Sequence, residues 1–257
     1  MSYFKNKNII ITGGSDGIGL GIARVFAQKK ANLILIGRNK TKLLNIQREL
    51  TNDHSSVQII SADLSNLHNI PTISQQIISL TPQIDVLIHN AGIGQFKPFI
   101  ETDEALLDLH LNLNVKTPYL LTQALLPSLI KTKGNIINIS SYFAERMLPE
   151  RTTTAYSLTK GALNSFTKSL AFEIGHLGVR VNAIAPGSVS TEQLNNNLQL
   201  LSTHQQNNFY KMIKDVYPLE KIGAPEDIGK AAAFLASEDA QWITSTIFKV
   251  DGGLTTN

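Results

Sequence analysis

Tyr156 and Lys160 stand one helical turn apart in TTTAYSLTKGALNSFTKSLAFEIG, where Leu158, Ala162, Leu163, Phe166, Leu170 and Ile174 recur at helical spacing. A phenol with a pKa of about 10 is a poor acid or base at neutral pH. An ammonium close by favours the phenolate and lowers that pKa, so the tyrosine becomes usable in proton transfer. Without further partners the same pair reads as a surface tyrosine near a surface lysine. Ser140 and Ser141 end an apolar run, Asn135–Ser140, that reads as a strand. A hydroxyl there and the Tyr156 phenol would form a two-donor clamp on a carbonyl oxygen that gains negative charge. Asn114 lies inside a stretch expected to be helical, where its propensity is poor. It is either a buried amide supporting a water between Lys160 and solvent, or a satisfied polar residue.

A second group of residues points to a nucleotide. The apolar run Asn8–Ile11 breaks at Thr12-Gly13-Gly14-Ser15-Asp16-Gly17-Ile18-Gly19, and a helix is expected over Leu20–Lys29. Strand, glycine turn and helix in succession bring backbone close to a diphosphate at the positive end of the helix. Gly13 would allow the tight turn, Gly17 the approach to phosphate and Gly19 close packing of helix on sheet. No lysine follows where a P-loop needs one. Asp63-Leu64 and His89-Asn90-Ala91-Gly92 each end a predicted strand on the same sheet edge. There Asp63 could accept from an adenine amino group, and Ala91 and Gly92 leave room for a ribose or flat ring. For His89, tying loops together is the better reading.

These residues need a scaffold. Strands are predicted at Asn8–Ile11, Asn32–Ile36, Val57–Ser61, Asp85–His89, Asn135–Ser140, Val179–Ile184 and Ile247–Val250. Helices are predicted at Lys40–Leu50, at Ile70–Leu80 (interrupted near its start by Pro71), and over most of Asp103–Leu129. Strand runs rich in Ile, Val and Leu that alternate with helices imply an α/β fold with a parallel sheet buried on both faces. No linker divides the 257 residues, so we expect one domain over 1–257.

Composition narrows the function further. The chain is 42% hydrophobic and 17% charged, with a net charge of +3 spread evenly, which argues against nucleic acid. The absence of cysteine excludes disulfides and thiolate chemistry, and the six histidines, His54 among them, lack metal-site spacing. A strand so close to Met1 and the lack of an apolar run near the roughly 18 residues of a spanning helix lead us to expect a soluble cytoplasmic protein without signal peptide or membrane contact.

TGGSDGIG at Thr12–Gly19, HNAG at His89–Gly92, NISS at Asn138–Ser141, YSLTK at Tyr156–Lys160, IAPG at Ile184–Gly187 and the tail PEDIGKAAAFLAS…VDGG occur in an order that resembles the short-chain dehydrogenase/reductase family. The resemblance runs from Lys7 to Gly253 and is nearest in pattern to the 3-oxoacyl carrier-protein reductases. It implies a Rossmann fold with a seven-stranded parallel sheet and a catalytic tetrad of Asn114, Ser141, Tyr156 and Lys160. It places cofactor contacts at Gly13, Ser15, Asp16, Gly17, Ile18, Gly19, Arg38, Asp63, Leu64, Asn90, Ala91 and Gly92, besides Tyr156, Lys160, Pro186, Gly187, Val189 and Thr191. The reaction would move a hydride between NADP(H) or NAD(H) and a carbonyl or secondary alcohol, carrier-bound or free; the alternative is a catalytically silent NAD(P)-binding scaffold. His89 departs from the usual Asn, and the segment between Ser141 and Tyr156 is about two residues longer than usual.

Three expectations complete this reading. Residues 188–218 would form a lid of one or two short helices, with Leu194, Leu198, Leu200, Leu201, Phe209, Met212 and Ile213 facing the nicotinamide end. Apolar residues such as Leu106, Leu109, Leu113, Leu120, Leu121, Phe166 and Phe172 exceed what one sheet face needs, and the resemblance implies a homotetramer with a second contact near Trp242–Gly253. The strand Asn32–Ile36 ends in Gly37-Arg38-Asn39, without the carboxylate that selects NAD, so Arg38 favours NADP; Asp16, by its charge, would oppose the extra phosphate.

Overall fold

The computed structural model describes residues 3–52, 55–148, 151–199 and 201–256; His54 and Leu200 lie outside the described residues. Seven strands form one parallel sheet: β1 (Asn8–Thr12), β2 (Asn32–Gly37), β3 (Val57–Ser61), β4 (Val86–His89), β5 (Asn135–Ile139), β6 (Arg180–Pro186) and β7 (Ile247–Val250), in the order β3-β2-β1-β4-β5-β6-β7. The order reverses between β1 and β4, where Ile9 pairs with Val86 and Ile11 with Ile88. A crevice opens at such a switch point, outside the strand C-termini.

The apolar runs are buried on both faces. Ile9, Ile11, Leu33, Leu35 and Ile137 pack under α1 (Gly17–Gln28), α2 (Lys40–Leu50) and α9 (Pro225–Ala236). Ile10, Ile34, Leu87 and Ile136 face α3 (Ile70–Leu80), α5 (Thr117–Ile130) and α6 (Thr154–Ile174). With both faces covered, alternate strand residues are equally apolar, which is why the strands lack a polar period.

Four details differ from the sequence reading. Helix α1 begins at Gly17 rather than Leu20, because the Asp16 side chain caps it by accepting from the Gly17 N–H at 2.7 Å. Pro71 opens α3 instead of interrupting it, since the first helical turn needs no N–H from that position. The stretch after Asp103 is α4 (Glu104–Leu111), then a π-type turn at Asn112–Lys116, then α5. Leu106 and Leu121 are buried within the subunit, so they cannot contribute to a contact between subunits. Exposed apolar side chains do remain: Phe172 is 92% exposed on α6 and Trp242 98% exposed before β7.

Helix α9 lies on α1 at very short range. A Cβ on Gly21 would come within 2.4 Å of Pro225, and one on Gly229 within 2.8 Å of the Gly21 carbonyl oxygen. Gly21 thus serves the close packing of α1 on α9, a separate contact from that of Gly19 on the strand ends. Among the described residues, no helix is long and apolar enough to cross a membrane, and no His/Cys/Asp/Glu cluster could hold a metal ion.

Candidate active site

A crevice of about 570 Å³ runs along the C-terminal edge of the sheet, from Arg38 and Asp63 at one end to Phe209 and Met212 at the other. Its floor at the switch point is backbone. Gly13 and Gly17 take positive φ values of 66° and 48°. A Cβ on Gly19 would lie 2.1 Å from the Gly13 oxygen and 2.4 Å from the Asn90 amide nitrogen. Asn90 Nδ2 donates to the carbonyls of Thr12 and Gly13 at 3.0 and 3.1 Å, and the Thr12 hydroxyl accepts from the N–H groups of Asn90 and Ala91. The glycine turn and the residues after β4 are therefore one braced unit, with the α1 N-terminus facing the crevice. An open trough of backbone at a helix N-terminus fits a diphosphate.

Ser15, Asp16, Ile18, Arg38, Asp63 and Leu64 line the end of the crevice beyond the turn. Asp63 accepts from the Ser65 N–H and hydroxyl at 3.0 and 2.7 Å, so its carboxylate is held by its own turn. Arg38 is exposed on the rim. Asp16 does not face it alone. The Lys42 ammonium lies 2.6 Å from Asp16 Oδ2 and 3.0 Å from Glu192 Oε2, where it offsets the Asp16 charge. Sequence reasoning missed Lys42. Its position one turn past Arg38, on a helix capped by the Asn39 side chain, was the available signal.

At the other end, β5 and α6 bring Ser141, Tyr156 and Lys160 into the crevice wall. Adjacent serines on a strand exit point in opposite directions. Ser140 turns inward and donates to Asn164 Oδ1 at 2.6 Å, whereas Ser141 caps the turn at Tyr142–Ala144 and hydrogen-bonds the Tyr156 phenol. Tyr156 is half-buried and open toward the crevice, its ring flanked edge-on by Phe96 and Phe143 at centroid distances of 5.5 and 6.2 Å. Lys160 is buried; its Nζ donates to the Ile139 carbonyl at 2.7 Å and lies 5.5 Å from the Tyr156 ring centroid.

The ionisation of the pair differs from the expectation. Burial pushes the Tyr156 phenol up to about 12, against a small downward pull from Ser141. Burial also pushes the Lys160 ammonium down to about 8. Lys160 therefore does not lower the phenol in the protein alone: desolvation penalises both charged forms, and the ammonium is engaged by a carbonyl. Tyr156 is a protonated donor throughout the neutral range.

Asn114 sits in the π-type turn, 1% exposed, and every polar atom of its side chain is engaged. Oδ1 accepts from the Ile93 N–H at 2.8 Å, and Nδ2 donates to the Ile93 carbonyl and the Thr159 hydroxyl, each at 3.0 Å. Its bonds clamp the segment after Gly92 against α6 without passing through Lys160. His89 is buried, bonds Thr122 across to α5 at 2.7 Å and stays neutral, its pKa lowered by burial to about 3. It braces the fold and does not line the crevice.

Pro186, Gly187, Val189 and Thr191 form another part of the crevice wall, and Thr191 packs over Gly17. Beyond them come α7 (Glu192–Gln199) and α8 (Thr203–Val216), the latter opened by a reciprocal cap between Ser202 and Gln205. Leu194, Leu198, Phe209, Met212 and Ile213 pack with Tyr142, Phe143 and Tyr156, so the apolar side of this excursion does turn toward the crevice. Tyr217 anchors it by accepting from the Ser188 N–H at 3.0 Å and donating to the Ser188 hydroxyl at 2.8 Å.

Comparison with known proteins follows the same outline. A family model described as enoyl-(acyl carrier protein) reductase matches residues 13–255. Oxidoreductase UcpA of Salmonella typhimurium is 34% identical over 256 residues, covering 99% of this chain and 97% of that one. The 3-oxoacyl-[acyl-carrier-protein] reductase FabG of Chlamydia muridarum is 33% identical over 255 residues, covering 98% and 99%. The crystal structure of L-sorbose reductase from Gluconobacter frateurii, complexed with NADPH and L-sorbose, superposes over all of both chains with a TM-score of 0.93 at 27% identity.

Proposed function

Because the chain belongs to the short-chain dehydrogenase/reductase family, we propose that it is an NADPH-dependent reductase of small carbonyl compounds in which Tyr156 donates the proton. The observation that carries this reading is the convergence of the Tyr156 phenol, the Ser141 hydroxyl and the Lys160 ammonium on one crevice whose floor suits a dinucleotide. The glycine trough would hold the diphosphate and Arg38 the 2′-phosphate, with Lys42 offsetting the Asp16 charge beside it, and Asn90 and Lys160 would hold the ribose nearest the reaction. When bound, the nicotinamide supplies or accepts the hydride.

The chain's own residues supply the rest. Tyr156 stays protonated at neutral pH and donates to the substrate oxygen as charge develops there. Ser141 orients the phenol and is a second donor to the same oxygen. Lys160 carries its charge below about pH 8, so it stabilises the phenolate left once the proton has moved. Asn114 is a positioning residue that fixes Ile93 and, through Thr159, the first turn of α6. Phe96, Phe143 and residues 188–218, read as a lid, exclude water from the transfer.

Tyr156→Phe tests the assignment. Turnover should fall by about 10²–10⁴-fold, the usual contribution of a general acid. NADPH binding by fluorescence should stay near wild type, because the phenol acts mainly in the transition state. A variant that reduces any substrate at the wild-type rate removes Tyr156 from the mechanism.

A further inference from the structure

Charge is distributed unevenly along the crevice. Among the described residues, the carboxylates that line it are Asp16 and Asp63, both at the nucleotide end. Past Tyr156 the walls are mainly aromatic and aliphatic, and among the described residues there the charged group is Arg151. Arg151 is exposed at the mouth of the substrate space, and its guanidinium carbon lies 6.0 Å from the ring centroid of Phe209 in α8. A second arginine stands behind this wall: Nη1 of Arg146 is buried without a hydrogen-bond partner and lies near Tyr217. Neither arginine takes part in any ion pair among the described residues. Asp251 acts on Tyr217 from the same region as Arg146 and opposes its charge, whereas Arg151, at the mouth, has no ion-pair partner among the described residues and is left to meet an anion.

Resting on the reductase reading above, we infer that the substrate carries a carboxylate as well as the carbonyl, and that Arg151 binds that carboxylate while Tyr156 addresses the carbonyl. A planar guanidinium beside an aromatic ring presents a two-pronged donor that matches one carboxylate. The hydroxyls of Tyr217 and Ser188 are already paired with each other, so the arginine is the strongest donor left for an anion. Phe96, Phe143 and Met212 would enclose the carbon chain between the two polar ends. The reaction is a keto acid going to a hydroxy acid. The hydride would come from NADPH to the carbonyl carbon and the proton from Tyr156 to its oxygen, with Tyr156 taking a proton back from solvent as NADP⁺ leaves.

The experiment compares keto acids of graded chain length with their methyl esters, using the full-length protein and NADPH. Wild type should show kcat/KM roughly ten- to a hundred-fold higher for the best acid than for its ester, mostly through KM. Arg151→Met should remove most of that preference, and Arg151→Lys should restore part of it. Circular dichroism and NADPH binding verify that both variants fold. Equal rates for acid and ester, or a preference unchanged in Arg151→Met, overturn the carboxylate while leaving the reductase reading intact. A preference for phosphate esters of hydroxyketones over the acids overturns it in favour of a different anion. Reduction of no carbonyl compound by protein that binds NADPH overturns both readings.

Discussion

The cluster of Arg38, Lys42, Asp16 and Glu192 gives a quantitative test of cofactor choice. Lys42 holds two carboxylates at 2.6 and 3.0 Å, so the three groups together carry one negative charge, which Arg38 on the rim balances. On the proposed reading, Arg38→Ala removes a charge-assisted contact to the 2′-phosphate, worth about 1.5–3 kcal/mol. That corresponds to a rise in KM for NADPH of about ten- to 150-fold, with a much smaller change for NADH. Lys42→Ala acts differently, since it leaves Asp16 and Glu192 unbalanced beside the phosphate. The side chains are 44–61% exposed, so screening holds the effect to about 1 kcal/mol, or roughly five-fold in KM for NADPH. Removing the charge of Asp16 as well, in Asp16→Asn/Lys42→Ala, should recover part of that loss. Steady-state kinetics with both cofactors at low and high salt provides the assay, and the Lys42 effect should shrink as salt rises. Equal losses for NADH and NADPH in Arg38→Ala, or a wild type that prefers NADH, would refute the reasoning. A double variant worse than Lys42→Ala would show that Asp16 does not oppose the phosphate.

Two further outcomes follow from the same geometry. Gly19→Ala places a methyl 2.1 Å from the Gly13 oxygen, so the braced turn must move; we expect a stability loss of about 1–3 kcal/mol and weaker NADPH binding. Wild-type melting and KM for this variant would show that the turn is not tight. Lys160 has a folded pKa of about 8 against 10.5 for the free side chain, so the unfolded chain binds more protons between those values and its contribution to stability rises with pH there. Chemical unfolding of wild type and Lys160→Met from pH 7 to pH 10 should show the difference between them shifting toward wild type by up to about 3 kcal/mol, and parallel curves would contradict the burial of the ammonium.

Much of the fold and most of the site were legible because both are written in local chain segments. Buried parallel strands need unbroken Ile, Val and Leu runs, and each βα unit must deliver its strand end to the same sheet edge. Once the strands were read, the residues after Thr12, Gly37, Ser61, His89, Ile139 and Pro186 had to share one crevice. Tyr156 and Lys160 had to share one face of α6. The glycines of the turn were recognisable as a group, yet the task of Gly21 was not, since it faces Pro225 across a distance only the folded chain closes.

What the tertiary structure decided lies in contacts between distant segments and in burial. Lys42 and Glu192 are 150 residues apart, so no periodicity could reveal that they offset and extend the charge at Asp16. Asn114 clamps Ile93 because a π-type turn rotates it there, and a helix pattern over Asp103–Leu129 contains no sign of that turn. The ionisation of Tyr156 and Lys160 reversed the simplest expectation. Four residues of spacing place a charge near a phenol, but the sign of each shift is set by how much water the surrounding chain removes.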